Sequence, residues 1–200
     1  MTNLTPSLTS NLSNNLTSRL TNSLTTNLAR QLIVWISTIV MVLSFWGCQS
    51  ADQVKGTLVK VERVISGQSL AVVNVQGDPM PRRVRLIGLE APDVQQLPWG
   101  TAAQAYLEKL TQHKLLLLET DLEVQDAFKQ TLGYLWLNDR LINRDMITAG
   151  HALAVPRAPN NKYDLELSRA QDKARLLGAG IWNPKQPMRQ TPGEFRRQLR

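Results

Sequence analysis

Between Gly56 and Leu137 turn-forming residues cut the chain into short apolar runs, and this punctuation limits the possible folds more than any other feature. Gly56 to Ile65 and Ser69 to Val75 read as strands joined at Ser66-Gly67, and Val84 to Leu89 as a third. A helix is expected from about Thr101 to Gln112, with Ala102, Ala105, Tyr106, Leu107 and Leu110 on its buried face. Leu115 to Leu118 and Leu132 to Leu137 read as two further strands. Leu141 to Ala149 then makes a short helix stopped by Gly150, and Tyr163 to Leu177 a longer one stopped by Gly178 and Gly180. Five short strands with helices after the third and fifth are a mixed β+α arrangement. They suit a five-stranded OB-fold barrel with about three helices.

The flanks have a different texture. Leucine recurs every fourth residue from Leu4 to Leu32 among Asn, Thr and Ser, so residues 1–31 read as a low-complexity, disordered N-terminus. Residues 32–48 read as a hydrophobic export signal or anchor. The run from Leu32 to Gly47 is uncharged, preceded by Arg30, and shorter than the ~20 apolar residues a spanning helix needs. Cys48 is the single cysteine, which leaves no intramolecular disulfide and no cysteine-based metal site. Gly47-Cys48 resembles a bacterial lipoprotein processing site, which makes Cys48 the expected lipidation site and places the domain outside the cytoplasm, anchored to a membrane. From residue 184 to 200, proline and arginine dominate, as expected of a flexible basic tail. That tail suits nucleic-acid phosphates, anionic lipid headgroups, or solubility alone.

The formal charge of +7 looks like a nucleic-acid signal until it is divided along the chain. Residues 51 to 184 hold sixteen basic and fifteen acidic side chains, so the folded part is nearly neutral and has a weak long-range field for a polyanion. The two histidines, His113 and His151, are far apart in sequence and have no cysteine partner, so a zinc site is not expected.

Two stretches carry chemistry. Arg63-Val64-Ile65-Ser66-Gly67-Gln68-Ser69-Leu70 is followed by Val84-Arg85-Leu86-Ile87-Gly88-Leu89-Glu90-Ala91-Pro92-Asp93, a strand that delivers an arginine and then two carboxylates three residues apart. Together they resemble the thermonuclease, or staphylococcal-nuclease-like, family, whose motifs run R-V-x-D-G-D-T-h and h-R-L-x-x-h-D-T-P-E. The resemblance spans roughly Gly56 to Trp182 and implies a domain over residues 54–183. It also implies calcium-assisted hydrolysis of DNA and RNA phosphodiesters, in which hard oxygens hold Ca2+ and cations neutralise the phosphate.

Residue by residue, the resemblance gives a changed site. Arg85 falls on the first phosphate-binding arginine and keeps its type, although a surface salt bridge with Glu90 or Asp93 is the plainer role. Glu90 and Gln68 fall on the two metal-binding aspartates, and Asp93 on the glutamate that handles the water. Gln68 brings an oxygen without charge, and Glu90 and Asp93 each shift their oxygens by about a bond length. Gln130, within Asp126-Ala127-Phe128-Lys129-Gln130-Thr131-Leu132, replaces the family's second arginine. Lys129 is a neighbouring cation, and of the family's aromatics near the nucleotide only Phe128 remains as a ring, with Val155 and Arg157 at the other positions. Phe128 is expected to pack, with base stacking as its functional alternative.

The reading is a membrane-tethered thermonuclease-like domain with an eroded site that binds DNA or RNA with little or no hydrolysis. An active nuclease with an altered calcium site and a structural envelope protein are the alternatives.

Overall fold

The computed structural model describes residues 54–77 and 80–199, together with Trp35 and Ser37. The leucine repeat, most of the hydrophobic run and Cys48 lie outside the described residues. No helix among the described residues is long and apolar enough to cross a membrane.

Strands β1 (Thr57–Ser66), β2 (Ser69–Asn74) and β3 (Arg82–Leu86) form an antiparallel meander. β1 also pairs with β5 (Leu115–Glu119), and β5 with β6 (Thr131–Leu137), both antiparallel. A parallel pairing of β3 with β6, Val84 opposite Thr131 and Arg85 opposite Leu132, closes the circuit. The result is the expected five-stranded barrel, and closure leaves no edge in the circuit. Two register shifts in β1, at Val61/Arg63 and Val64/Ser66, give that strand the bend closure requires. Alternation then fills the interior: Val59, Leu70, Val72, Val84, Leu86, Leu116, Leu118, Leu132 and Tyr134 are buried.

Helix α1 (Trp99–Thr111) sends Ala103, Leu107 and Leu110 into that core. Helices α2 (Ile142–Thr148) and α3 (Asp164–Leu176) cover another side through Met146, Ile147, Leu167 and Ala170. Asn143, fully buried on α2, ties three segments together. Its Nδ2 donates to Ile87 O at 2.9 Å, and its Oδ1 accepts from Leu135 N at 3.0 Å.

Two expectations need correction. Val84 to Leu89 is not one strand: the chain breaks at Gly88, whose φ of +74° favours glycine, and where a Cβ would lie 2.3 Å from Leu167 Cδ1. Beyond the break, the two-residue strand β4 (Leu89–Glu90) pairs with β8 (Leu153–Ala154), separately from the barrel. The β-hairpin strand β7 (Arg140–Leu141) extends the barrel sheet.

The second correction concerns the end of the chain. Residues from 184, expected as a flexible tail, form a strap and a fourth helix, α4 (Pro192–Gln198). The strap is pinned by Met188 N to Ile181 O at 2.9 Å and by Gln96 Nε2 to Gln190 O at 2.8 Å. A capping box, Thr191 with Glu194, starts α4, and Pro192 is buried in its first turn.

Candidate phosphate and metal site

The functional positions collect where β3, the β4 segment, the loop before β6 and the loop after β8 approach one another. Arg85 lies on β3 between Ser69 of β2 and Leu132 of β6. Its neighbours Val84 and Leu86 are fully buried in the barrel, so alternation turns the Arg85 side chain outward. Its guanidinium is held below the usual arginine range, first by burial and next by the like charge of Arg157, with Asp126 opposing.

That Arg157 influence has a structural origin. Leu89 pairs with Ala154 and Glu90 with Leu153, and Val155 N donates to Gly88 O at 3.1 Å, so the chain after β8 runs antiparallel to the β3–β4 segment, back toward Arg85. A bridge between Arg157 and Asn160 shapes the turn that follows. Asn160, fully buried, clamps this turn to the loop before β6 by accepting from Glu123 N and donating to Glu123 O, both at 2.8 Å. Arg157 Nε sits 3.9 Å from Glu123 Oε2 and is buried without a hydrogen-bond partner. In the sequence alone Arg157 stands only as the absence of a ring. Its charge matters only once β4 and β8 are seen to pair, which no local signal announces.

The loop before β6 is ordered by one carboxylate. Asp126 Oδ1 accepts from Phe128 N and Gln130 N, both at 2.9 Å, and Lys129 N returns to Asp126 O at 3.0 Å. Lys129 therefore sits in a tight turn with φ +58°. Phe128 is 81% exposed, so it does not pack into the domain. With Leu122 and Val124 it gives this loop an apolar rim.

Each of the three oxygen-bearing side chains has one oxygen engaged. Gln68, buried in the β1–β2 turn, accepts Ala91 N–H with Oε1 at 2.9 Å, while its own carbonyl accepts Leu86 N at 2.9 Å. Gly67 makes this approach possible, since a Cβ there would come within 2.6 Å of Ala103 Cβ and 2.8 Å of Ala91 Cβ. Asp93 Oδ1 accepts Gln95 N at 3.0 Å, and its carbonyl accepts Gln96 N at 2.8 Å, forming the turn into α1. Glu90 Oε1 is paired with Arg196 of α4. Its ion-pair partner is thus Arg196 and not the Arg85 weighed from sequence. The signal for that partner was present as Thr191-Pro192-Gly193-Glu194, a helix start hidden in a proline- and arginine-rich stretch.

A profile of the family described as "Staphylococcal nuclease homologue" matches residues 83–184. The thermonuclease of Staphylococcus intermedius is 30% identical over 161 residues, which cover 76% of this chain and 94% of that protein. The chain belongs to the staphylococcal nuclease family. The Staphylococcus hyicus thermonuclease is 30% identical over 62% of this chain and 75% of its own, and Escherichia coli protein ParB is 30% identical over 70% and 78% respectively.

Thermonucleases generally depend on Ca2+, a hard cation that needs several oxygen ligands. The side chains aligned for that task do not fit a resident ion in this arrangement. Gln68 Oε1 is spent on a backbone N–H and Glu90 on a guanidinium. Among the described residues no three His, Cys, Asp or Glu side chains come together as a metal group.

Proposed function

We infer that this thermonuclease-family protein is an exported, membrane-tethered domain that binds single-stranded DNA or RNA and hydrolyses it weakly or not at all. Arg85 and Arg157 form the phosphate grip, with Arg157 taking over the charge that Gln130 lacks. The observation that carries this reading is that the segment after β8 runs back toward Arg85 and carries Arg157, whose charge acts on the Arg85 guanidinium and whose buried Nε lacks a hydrogen-bond partner. Two guanidiniums held near each other repel, and a phosphate between them relieves that repulsion while accepting their N–H groups. Phe128 stands exposed on the adjoining loop, and an aromatic ring beside a cationic groove is the recurrent platform for an unstacked base. Weak hydrolysis follows from the engaged oxygens of Gln68, Glu90 and Asp93. Export and anchoring rest on the Leu32–Gly47 run and Cys48.

The test is fluorescence anisotropy of labelled single-stranded DNA and RNA across a salt series. Binding should weaken with salt, and Arg85→Ala and Arg157→Ala should each lower affinity and reduce the salt slope by about one. Binding unchanged in Arg157→Ala would remove the proposed grip.

Retention of Glu90 and Asp93 at the family's carboxylate positions favours a second reading, a nuclease with an altered calcium site. Chelator-sensitive cleavage separates the two.

A further inference from the structure

We propose that the outer face of the β1–β2–β3 meander carries a single-stranded polynucleotide onward from Arg85, with Arg83 and Arg63 binding the next phosphates along it. This inference rests on the functional reading above and extends that same site.

The near-neutral charge of the folded part hides an uneven distribution. Residues 54–88 hold six basic side chains and two acidic ones, whereas residues 89–184 hold ten and twelve. Within the three strands the contrast is sharper, with Lys60, Arg63, Arg82, Arg83 and Arg85 against Glu62 alone. Register decides where these charges point. Arg85 pairs with Ser69 and Arg83 with Ala71, and Ala71 pairs on its other side with Arg63. Leu70, Val72, Val84 and Leu86 flank these positions along β2 and β3 and are all fully buried in the barrel, so alternation puts Ala71, Arg83 and Arg85 on the outer face. On β1, Val61 and Val64 pack against the core on either side of a bulge, which leaves Arg63 on the outer face as well. Arg63 and Arg83 are both exposed.

The three arginines make a row that starts at the phosphate grip. Arg83 lies two residues from Arg85 on the same strand, ~7 Å away along β3, and Arg63 lies two strands over from Arg83, ~10 Å across the sheet. Only the small side chains of Ala71 and Ser69 stand on the strand between. Among the described residues none of the three arginines forms an ion pair. An unpaired guanidinium offers its planar fork of N–H groups to phosphate oxygens, and each phosphate it neutralises releases counterions from the strand. A strand held at Arg85 therefore meets Arg83 and then Arg63 as it crosses the meander.

The experiment uses the full chain and two labelled single-stranded DNAs, one of ~4 and one of ~12 nucleotides, within the range that an OB barrel covers. Anisotropy is read across a salt series. Arg83→Gln and Arg63→Gln should each lower affinity for the long strand about threefold and reduce its salt slope by ~0.7, while binding of the short strand stays unchanged. Arg83→Lys keeps the charge and should keep the slope. Arg169→Gln, which removes a charge from an exposed position on α3, should match the unmodified chain with both strands. Long-strand binding equal to that of the unmodified chain in the double variant Arg63→Gln with Arg83→Gln overturns the proposal, as does an equal loss in Arg169→Gln. So does a loss confined to vesicles of phosphatidylcholine and phosphatidylserine, which would assign the face to a bilayer. The grip is judged separately by Arg85→Ala, which should weaken both strands. If it weakens neither, the grip fails while the row still stands or falls on the glutamine variants.

Discussion

Gln68, expected by resemblance at a metal-binding position, makes the contacts of a strap between the β1–β2 turn and the β4 segment. Its Oε1 accepts the Ala91 amide at 2.9 Å, and Ala91 is only 2% exposed. In Gln68→Ala that amide loses its acceptor in a place water reaches poorly. A buried unsatisfied donor costs ~1–3 kcal/mol, so a loss of about 2 kcal/mol is expected. For a domain of this size that is a fall in Tm of ~4–8 °C. The acidic replacements sharpen the test. Asp is one methylene too short to reach Ala91 N and should be no better than Ala. Glu has the same reach as Gln, and its carboxylate accepts the amide more strongly, so it should recover part of the loss against the cost of a buried charge. Equilibrium urea unfolding at pH 7 reads all three. A Gln68→Ala change below ~0.5 kcal/mol, or an Asp variant as stable as the unmodified chain, would refute the strap.

Three other predictions follow from named contacts. Asn143→Ala leaves Ile87 O and Leu135 N without partners inside the fold, and should cost ~3 kcal/mol by urea unfolding. Phe128→Ala should weaken single-stranded binding by ~1–3 kcal/mol in anisotropy while leaving Tm unchanged, because the ring is exposed. Burial lowers the pKa of His151, which also stacks on Tyr106 with ring centroids 4.4 Å apart. The folded state thus disfavours the proton that the unfolded chain takes up near pH 6.5. Its contribution is complete above that pH and is lost as pH falls from there through the depressed folded value. Tm measured from pH 7.5 down to 5 should decline less in His151→Gln.

Much of the barrel could be read from the chain because its signals are local. β1, β2, β5 and β6 begin and end within two residues of where alternation and turn residues place them. Helix α1 keeps Leu107 and Leu110 on its buried face as expected, but it buries Ala103 and leaves the expected Ala102 and Ala105 exposed. What escaped was set at long range or by one residue's backbone. The break at Gly88 depends on Leu167, 79 residues away, occupying the space a side chain would need. Lys129 takes a left-handed turn because Asp126 gathers the amides around it. Arg157 gains meaning from the pairing of β4 with β8, two strands of two residues each, too short to show periodicity. Arg196 reaches Glu90 across more than a hundred residues. The motif singles out Arg85, Glu90, Asp93 and Gln68 as candidates, but not their partners, since a motif specifies residue types and leaves their contacts open.

The proposed pocket grips phosphate through Arg85 and Arg157, while one oxygen each of Gln68, Glu90 and Asp93 is held by the protein itself. Incubation of the full chain with single-stranded DNA and RNA, with Ca2+ or with chelator, decides whether such a pocket binds or cuts. Intact polynucleotide should be retained in both conditions, with cleavage slow or absent, and retention should be lost in Arg85→Ala. Rapid Ca2+-dependent degradation abolished by chelator would refute the binding role.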